Sequence, residues 1–286
     1  MMNRILLCLS FFILGTVTFA QGGIVDKKEL TLNDAVLQQY RNFAPTNLNM
    51  FQWVPNSDCY TFLSSNYQIL MKASVRNTAP RELITIQTLN EKLGSELSWF
   101  SNLKWKDENA FWVNDGEKYY EYNTVEEVGK LIHSLSDDSE NALFHDATQN
   151  VAYTRGNNLY VNSGSGFKII VTDNSDKNIV SGQAIARSEF GITGGLFWSK
   201  DGGSIAYYQK DETNVHDYPL LDNSKTPGEL ISIKYPMAGQ KSERAKVGIF
   251  NLTTRKTAFI SPQHGEENYL TNLSWTPDNK CVMIAE

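Results

Sequence analysis

The chain has 286 residues and a net charge of −6, with 41% hydrophobic, 12% aromatic and 20% charged residues. This composition excludes collagen-like, disordered and disulfide-rich classes, and the chain is long enough to bury a large core. Its 32 acidic and 26 basic side chains argue against a nucleic-acid-binding surface. Four histidines and three cysteines, without a C-x-x-C spacing, predict no zinc site.

The first twenty residues have the pattern of a secretory signal. Arg4 precedes an apolar run over 5–14, and small residues follow at 18–20. We predict a signal peptide over 1–20, cleaved after Ala20, and a periplasmic or secreted mature protein. An uncleaved membrane anchor is the alternative. The run is short for a span and no basic flank follows it, so no stable anchor is expected.

Two cysteines, Cys59 and Cys281, would remain in the mature chain. In an oxidising compartment they could form a disulfide bond. Two isolated cysteines so distant in sequence more often lie singly in strands, so we favour free thiols and keep pairing as the alternative.

A short helix is predicted within the linker region 21–49. Thr31 and Asp34 have the spacing of a helix cap. Residues 41–49, which include a proline, would end the helix. The apolar residues at helical spacing are Leu32, Val36 and Tyr40.

A recurring unit dominates the rest of the chain. It consists of an aromatic residue, a polar turn and an alternating strand, and it is clearest over 196–208. The aromatic anchors of its five copies are Trp53, Trp105, Phe144, Trp198 and Trp275. Most intervals between anchors fit the roughly 40–50 residues of one four-stranded propeller blade. We therefore predict an all-β fold with a β-propeller over 50–286.

The interval between the last two anchors contains an insertion at 210–246 that is rich in Asp, Pro and Tyr. The fifth unit has barely begun when the sequence reaches Glu286. Because a propeller closes its ring and so avoids unpaired strand edges, we expect an incomplete propeller from a longer protein.

No complete catalytic constellation is visible. The G-x-S-x-G elbow, the Walker A loop, the dinucleotide glycine fingerprint and HExxH are all absent, so no catalytic residue, metal or cofactor is assigned. The adjacent pairs His145-Asp146 and His216-Asp217 are interpreted as surface turns, since neighbours in a strand rarely point the same way. Solvated loop charges are predicted at three acidic pairs: Glu126-Glu127, Asp137-Asp138 and Glu266-Glu267.

The segment 179–192 places a carboxylate, Glu189, between apolar stretches. Such a carboxylate costs desolvation free energy unless it meets a cation. One interpretation is structural, with Glu189 paired to Arg187 or another basic side chain at a blade edge. The other is that the carboxylate serves a ligand.

Several short segments occur in one order along 179–250. They are SEFG at 188–191, FWSKDG at 197–202, IAYY at 205–208, DETNV at 211–215, YPL at 218–220 and KYPMAG at 234–239. Together they resemble the propeller of the dipeptidyl peptidase IV group in the prolyl oligopeptidase family. The resemblance extends more loosely over about 27–286.

This resemblance implies a secreted or membrane-tethered serine exopeptidase that releases N-terminal Xaa-Pro or Xaa-Ala dipeptides. It also implies an eight-bladed propeller joined to a C-terminal α/β-hydrolase domain that carries the Ser, Asp and His. Glu189 lies on the family's acidic motif, which binds the free α-amino group of the substrate. The family typically has two adjacent glutamates, but Ser188 takes the first position here, so a second carboxylate would come from elsewhere.

The leading functional prediction is the substrate-gating, amine-recognising propeller of a secreted dipeptidyl peptidase, inactive without its catalytic domain. Its expected partners are a peptide N-terminus and the hydrolase domain. A second copy is also expected, because the insertion resembles the extension through which family members dimerise. The alternatives are a stand-alone secreted propeller that binds a peptide or glycan, and a periplasmic scaffold without a ligand.

Overall fold

The computed structural model describes residues 29–45, 47–265 and 268–286. The predicted signal peptide over 1–20 lies outside the described residues. The chain divides into two compact units, one ending at Asn47 and the other covering Leu48–Glu286. Within the described ranges, no helix is long and apolar enough to cross a membrane.

The first unit contains the short helix, which has π-helical hydrogen bonding over Asp34–Gln38. Thr31 and Asp34 cap it reciprocally. The Thr31 amide donates to Asp34 Oδ2 at 3.2 Å, and the Asp34 amide donates to Thr31 Oγ1 at 3.1 Å. The predicted apolar face is exposed rather than buried, with exposures of 56–83% at Leu32, Val36 and Tyr40.

The second unit is built from antiparallel sheets. The first sheet has the order β1 (Asn49–Trp53), β2 (Cys59–Leu63), β3 (Ile69–Ser74) and β4 (Arg81–Thr85), followed by α1 (Ile86–Leu93). The second has the order β5 (Lys104–Trp105), β6 (Ala110–Asn114), β7 (Lys118–Asn123) and β8 (Val128–Ser134). The third contains β9 (Ser139–His145), β10 (Asn150–Arg155), β11 (Asn158–Asn162) and β12 (Lys168–Ile170).

The fourth sheet contains β13 (Ile179–Ser181), β14 (Leu196–Trp198), β15 (Ser204–Asp211), β18 (Arg244–Asn251) and β19 (Lys256–Ile260). Between β15 and β18, the predicted insertion contains a separate hairpin of β16 (Asp217–Asp222) and β17 (Glu229–Lys234). The fifth blade-like sheet is described as β20 (Thr271–Trp275) and β21 (Val282–Ala285). The all-β propeller prediction is confirmed, because each aromatic anchor lies in the first strand, or the interrupted first strand, of one of these sheets.

The tryptophan anchors join successive sheets through their indole N–H groups. Trp105 Nε1 donates to Thr61 Oγ1 at 2.8 Å, Trp198 Nε1 to the Leu143 carbonyl at 3.0 Å, and Trp275 Nε1 to the Phe197 carbonyl at 2.9 Å. Each bond runs from one sheet to an earlier one. An indole satisfies a donor while burying a large apolar ring, which explains the recurrence of tryptophan at this position.

Phe144 has no polar group, and it joins its sheet to the second sheet by ring packing alone. Its ring centroid lies 5.2 Å from that of Trp112 and 5.7 Å from that of Tyr119. The neighbouring central strand β10 is buried at five consecutive residues, Asn150–Thr154. A strand covered on both faces in this way fits the middle of a blade that has neighbours on both sides.

Gly248 leaves room for a fully buried tyrosine on the neighbouring strand. It pairs with Tyr207 in the β15–β18 register, and a Cβ at this position would lie 2.7 Å from both Tyr207 Cε1 and the Tyr207 hydroxyl. We expect Gly248→Ala to lower the free energy of unfolding by about 1–3 kcal/mol, because the core cannot accept an overlapping methyl group without moving the ring. Chemical denaturation would measure the loss.

Gly203→Ala is the matched control for this substitution, because the contacts of a Cβ at Gly203 begin at an ordinary 3.4 Å. Its free energy of unfolding should stay within about 0.5 kcal/mol of the wild-type value. Equal stability of the two variants would contradict the packing role assigned to Gly248.

Candidate functional site

The candidate site is a loop that interrupts the first strand of the fourth sheet. Ser181 faces Gln209 and Leu196 faces Tyr207, so residues 182–195 leave the strand opposite the single residue Tyr208. We call residues 182–195 the site loop. It contains Glu189, the residue that the sequence selected as a candidate.

The backbone of Tyr208 holds both ends of the site loop. Its carbonyl accepts from the Gly182 amide at 2.8 Å, and its amide donates to the Gly195 carbonyl at 3.0 Å. The Tyr208 ring is buried and packs edge-on against Phe197, with centroids 5.5 Å apart. Burial raises the pKa of the Tyr208 hydroxyl, so the phenol stays neutral at physiological pH. The loop therefore starts and ends on one rigid strand.

The middle of the site loop has a strained backbone. Three non-glycine residues adopt left-handed conformations, with φ of 51° at Ala186, 63° at Ser188 and 55° at Phe190. Each such residue costs of order 1–3 kcal/mol, and strained residues of this kind cluster at ligand-binding positions. Glu189 lies between two of them, and its amide donates to the Ala186 carbonyl at 2.9 Å.

The structure presents Glu189 to solvent. The residue is exposed, as is Ser188 beside it, so its carboxylate does not carry the desolvation cost that the apolar sequence context suggested. The flanking residues 188 and 190 are exposed as well, so the whole segment around Glu189 lies at the surface. The alternative pairing of Glu189 with the Arg187 side chain lies outside the described residues.

The buried carboxylate of Glu243 forms a hydrogen bond with the backbone of the site loop. Glu243 Oε1 accepts from the Ala186 amide at 2.6 Å. Its Oε2 lies 3.9 Å from Lys210 Nζ, which in turn lies 2.7 Å from Glu212 Oε1. The three ionisable side chains are only 7–10% exposed. Two carboxylates and one ammonium give this cluster a net negative charge next to the loop.

Our sequence analysis missed this cluster. Lys210 lies in β15 and Glu212 directly follows the last residue of that strand, so a basic and an acidic residue two positions apart were an available signal. Nothing local connects either residue to Glu243, which follows the β16–β17 hairpin.

Two cavities adjoin the site loop. The first has a volume of about 390 Å³, and the residues that line it include Ile185, Ala186, Asn214, Glu243 and Tyr269. The second, of about 440 Å³, is lined by Glu140, Asn141, Gln183, Ala184, Ser188 and Lys210. Among the described residues, Glu189 is not part of either wall, so its exposed carboxylate lies outside both cavities.

The histidine–aspartate pairs have structural partners. His145 Nδ1 contacts Thr148 Oγ1 at 2.9 Å and its Nε2 contacts the Lys200 carbonyl at 3.2 Å, while Asp146 forms an ion pair with Lys104. His145 ends strand β9 and Asp146 begins the following turn, so the predicted turn holds only for Asp146, and both residues are half-buried. In the second pair, Asp217 forms an ion pair with Lys234 across the β16–β17 hairpin at 3.3 Å.

The acidic pairs and the two cysteines are the other residues that the sequence singled out, and two of the acidic residues form ion pairs. Glu127 pairs with Lys92 at 3.2 Å, and Asp138 pairs with Arg155. Both acids lie at the surface, as predicted, whereas Glu266-Glu267 lies outside the described residues. Cys59 and Cys281 are free thiols, but they do not lie in strand cores as expected: Cys59 is half-buried in β2, and Cys281 is exposed just before β21.

The blade-like sheets and the tryptophan links between them define a β-propeller, and comparison with known proteins assigns its family. Residues 100–286 match the family model "Dipeptidyl peptidase IV (DPP IV) N-terminal region". The match covers more than half of the chain. The chain therefore belongs to the dipeptidyl peptidase IV N-terminal region family.

Relatives of known name agree with this assignment. A protein of Emericella nidulans named "Probable dipeptidyl peptidase 4" is 24% identical over 282 residues, which cover 91% of this chain and 35% of the relative. A crystal structure from Bacteroides ovatus, titled as a dipeptidyl aminopeptidase IV, is 32% identical with a TM-score of 0.68 and covers 84% of this chain and 33% of its own.

The crystal structure of Porphyromonas gingivalis dipeptidyl peptidase 4 supports the fold. It has a TM-score of 0.64 at 17% identity and covers 90% of this chain and 38% of its own. The chain thus spans about a third of the length of these relatives.

Proposed function

We propose that this chain is the substrate-gating and amine-recognising propeller part of an exported serine dipeptidyl peptidase. The enzyme would release Xaa-Pro or Xaa-Ala dipeptides from peptide N-termini. The observation that carries the proposal is the strained site loop, which presents the Glu189 carboxylate to solvent in a chain of this family. The export signal proposed at 1–20 would direct the protein to the periplasm or the exterior.

The proposed role of Glu189 is to bind the α-ammonium group at the start of the peptide. A carboxylate and an ammonium form charge-assisted hydrogen bonds, which are about twice as strong as neutral ones. Holding the first atom of the peptide sets the distance to the scissile bond, so cleavage would fall two residues along the chain. Dipeptide specificity would follow without recognition of the rest of the sequence.

The electrostatics around the site loop support this role. The buried cluster next to it contains two carboxylates, Glu212 and Glu243, that both lie within 4 Å of the Lys210 ammonium group. A net negative charge in a poorly solvated position attracts a cationic group more strongly than the same charge in bulk water. Strain concentrated at residues 186–190 fits a segment shaped for binding rather than for stability.

The proposed partners are the hydrolase domain, which would supply the Ser, Asp and His, and a second copy of the chain. Support for the second copy comes from the β16–β17 hairpin. Leu221 and Leu230 face each other across it and are 61% and 76% exposed. Exposed apolar pairs of this kind are typical of a protein–protein contact.

Peptide binding to the chain tests the proposal. Glycyl-prolinamide carries the free ammonium group, whereas in N-acetyl-glycyl-prolinamide an acetyl group converts it to an uncharged amide. We expect only the first to shift backbone amide NMR resonances of residues 185–192. Equal shifts with both peptides would instead favour a general peptide-binding module, and no shift with either would contradict amine recognition by this loop.

A further inference from the structure

The strained part of the site loop is tied to a distant part of the chain by one hydrogen bond. Glu243 Oε1 accepts from the Ala186 amide at 2.6 Å, although the two residues are 57 positions apart. The acceptor is a carboxylate, and a hydrogen bond to a charged acceptor is stronger than one between neutral groups. Ala186 is also the first non-glycine residue of the loop with a left-handed conformation, with φ of 51°.

A second hydrogen bond connects Ala186 to Glu189, the proposed ligand residue. The same residue that donates to Glu243 also accepts, through its carbonyl, from the Glu189 amide at 2.9 Å. The Glu189 carbonyl in turn accepts from the Ile192 amide at 3.0 Å. The backbone position of Glu189 is therefore connected to Glu243 through the single residue Ala186.

Glu243 itself is held by the sheet. Its side chain is 7% exposed, and a buried carboxylate is tolerated only with compensating partners. Lys210 provides the cation at 3.9 Å, and Glu212 holds Lys210 from its other side at 2.7 Å. Lys210 pairs with Ala245 in the β15–β18 register, so the cation and the carboxylate are brought together by the ladder itself.

We propose that Glu243 is a positioning residue for the amine-binding loop: it keeps residues 186–190 in their left-handed conformation and thereby fixes where Glu189 meets the substrate. The role in substrate binding rests on the proposed function. Glu243 would not touch the peptide. Its hydrogen bond to the Ala186 amide would offset part of the free energy that the left-handed backbone conformations cost.

Hydrogen exchange in the whole chain, measured by mass spectrometry, tests this role with two substitutions of similar volume. Glu243→Gln keeps an oxygen acceptor for the Ala186 amide, whereas Glu243→Met removes it. Lys210 keeps Glu212 as a partner in both variants. We expect exchange over residues 183–192 to rise about ten- to a hundredfold in Glu243→Met and to stay within about threefold of wild type in Glu243→Gln.

Glu127→Met is the control, because Glu127 forms only a surface ion pair with Lys92 and should leave exchange at residues 183–192 unchanged. Equal exchange at this segment in the glutamine, methionine and wild-type chains would overturn the proposal. Equal acceleration in the glutamine and methionine variants would also overturn it, since the acceptor would then be irrelevant.

A second measurement separates this inference from the proposed function. The affinity for glycyl-prolinamide should fall in Glu243→Met and recover in Glu243→Gln, while thermal melting of the two variants stays similar. Unchanged affinity in Glu243→Met, with a loosened loop, would overturn the link to binding. If the wild-type chain bound no free-amine peptide, the proposed function would fail, and the exchange pattern would still decide whether Glu243 holds the loop.

Discussion

Glu189→Gln is expected to lower kcat/KM about ten- to a hundredfold when the chain is assayed as part of the proposed dipeptidyl peptidase, with the proposed hydrolase domain present. Glutamine keeps the shape of the side chain but loses the charge-assisted bond to the substrate ammonium, typically about 1.5–3 kcal/mol. At about 1.4 kcal/mol per tenfold change, this free energy gives the stated range. Steady-state kinetics on a glycyl-prolyl chromogenic substrate measures it.

Two controls make this experiment decisive. Glu126→Gln removes an exposed carboxylate in the β7–β8 turn and should leave kcat/KM unchanged. An N-acetylated substrate has no ammonium group and should be poor for both wild type and Glu189→Gln. If Glu189 instead serves only as an ion-pair partner of Arg187, the variant would melt at a lower temperature with unchanged kcat/KM, and the amine-binding role would be rejected.

Gly195→Ala is expected to destabilise the base of the site loop. A Cβ at this glycine would collide with the Gln183 carbonyl group and lie 2.5 Å from the Gly182 oxygen. These atoms are backbone, so no side-chain rotation relieves the contact, and the strand that holds both loop ends would have to move. We expect a loss of about 1–3 kcal/mol in the free energy of unfolding, measured by chemical denaturation.

The adjacent glycine offers a matched control. A Cβ at Gly194 meets nothing within 4 Å, and Gly194→Ala should be neutral or slightly stabilising, because alanine restricts the unfolded chain. The Gly195 variant should also lose affinity for glycyl-prolinamide. If the two alanine variants had the same stability and affinity, the close backbone approach would not be what shapes the loop.

The blades could be predicted from local sequence patterns. An aromatic anchor, a polar turn and an alternating strand are local patterns, because the turn residues and the two-residue period act within a dozen positions. The anchors at Trp105 and Trp198 therefore located the starts of two sheets correctly. The cap formed by Thr31 and Asp34 was predicted for the same reason, since both hydrogen bonds join residues three positions apart.

The same local reasoning failed where burial depends on distant neighbours. The apolar positions 32, 36 and 40 are at helical spacing, yet all three are exposed. The apolar sequence context of Glu189 suggested a buried carboxylate, but the residue is exposed. The left-handed conformations of Ser188 and Phe190 on either side of it are not specified by the amino-acid pattern.

The contacts that hold the site loop could not be predicted from local sequence, because they join residues that are distant along the chain. The pairing of β15 with β18 brings Lys210 next to a carboxylate that follows the inserted hairpin, and this carboxylate reaches the Ala186 amide across 57 positions of sequence. A contact between residues so far apart costs loop-closure entropy, and the pairing of the strands on either side offsets this cost. The sequence thus contains the residues of the Glu243–Lys210–Glu212 cluster, but the ladder of the fourth sheet creates it.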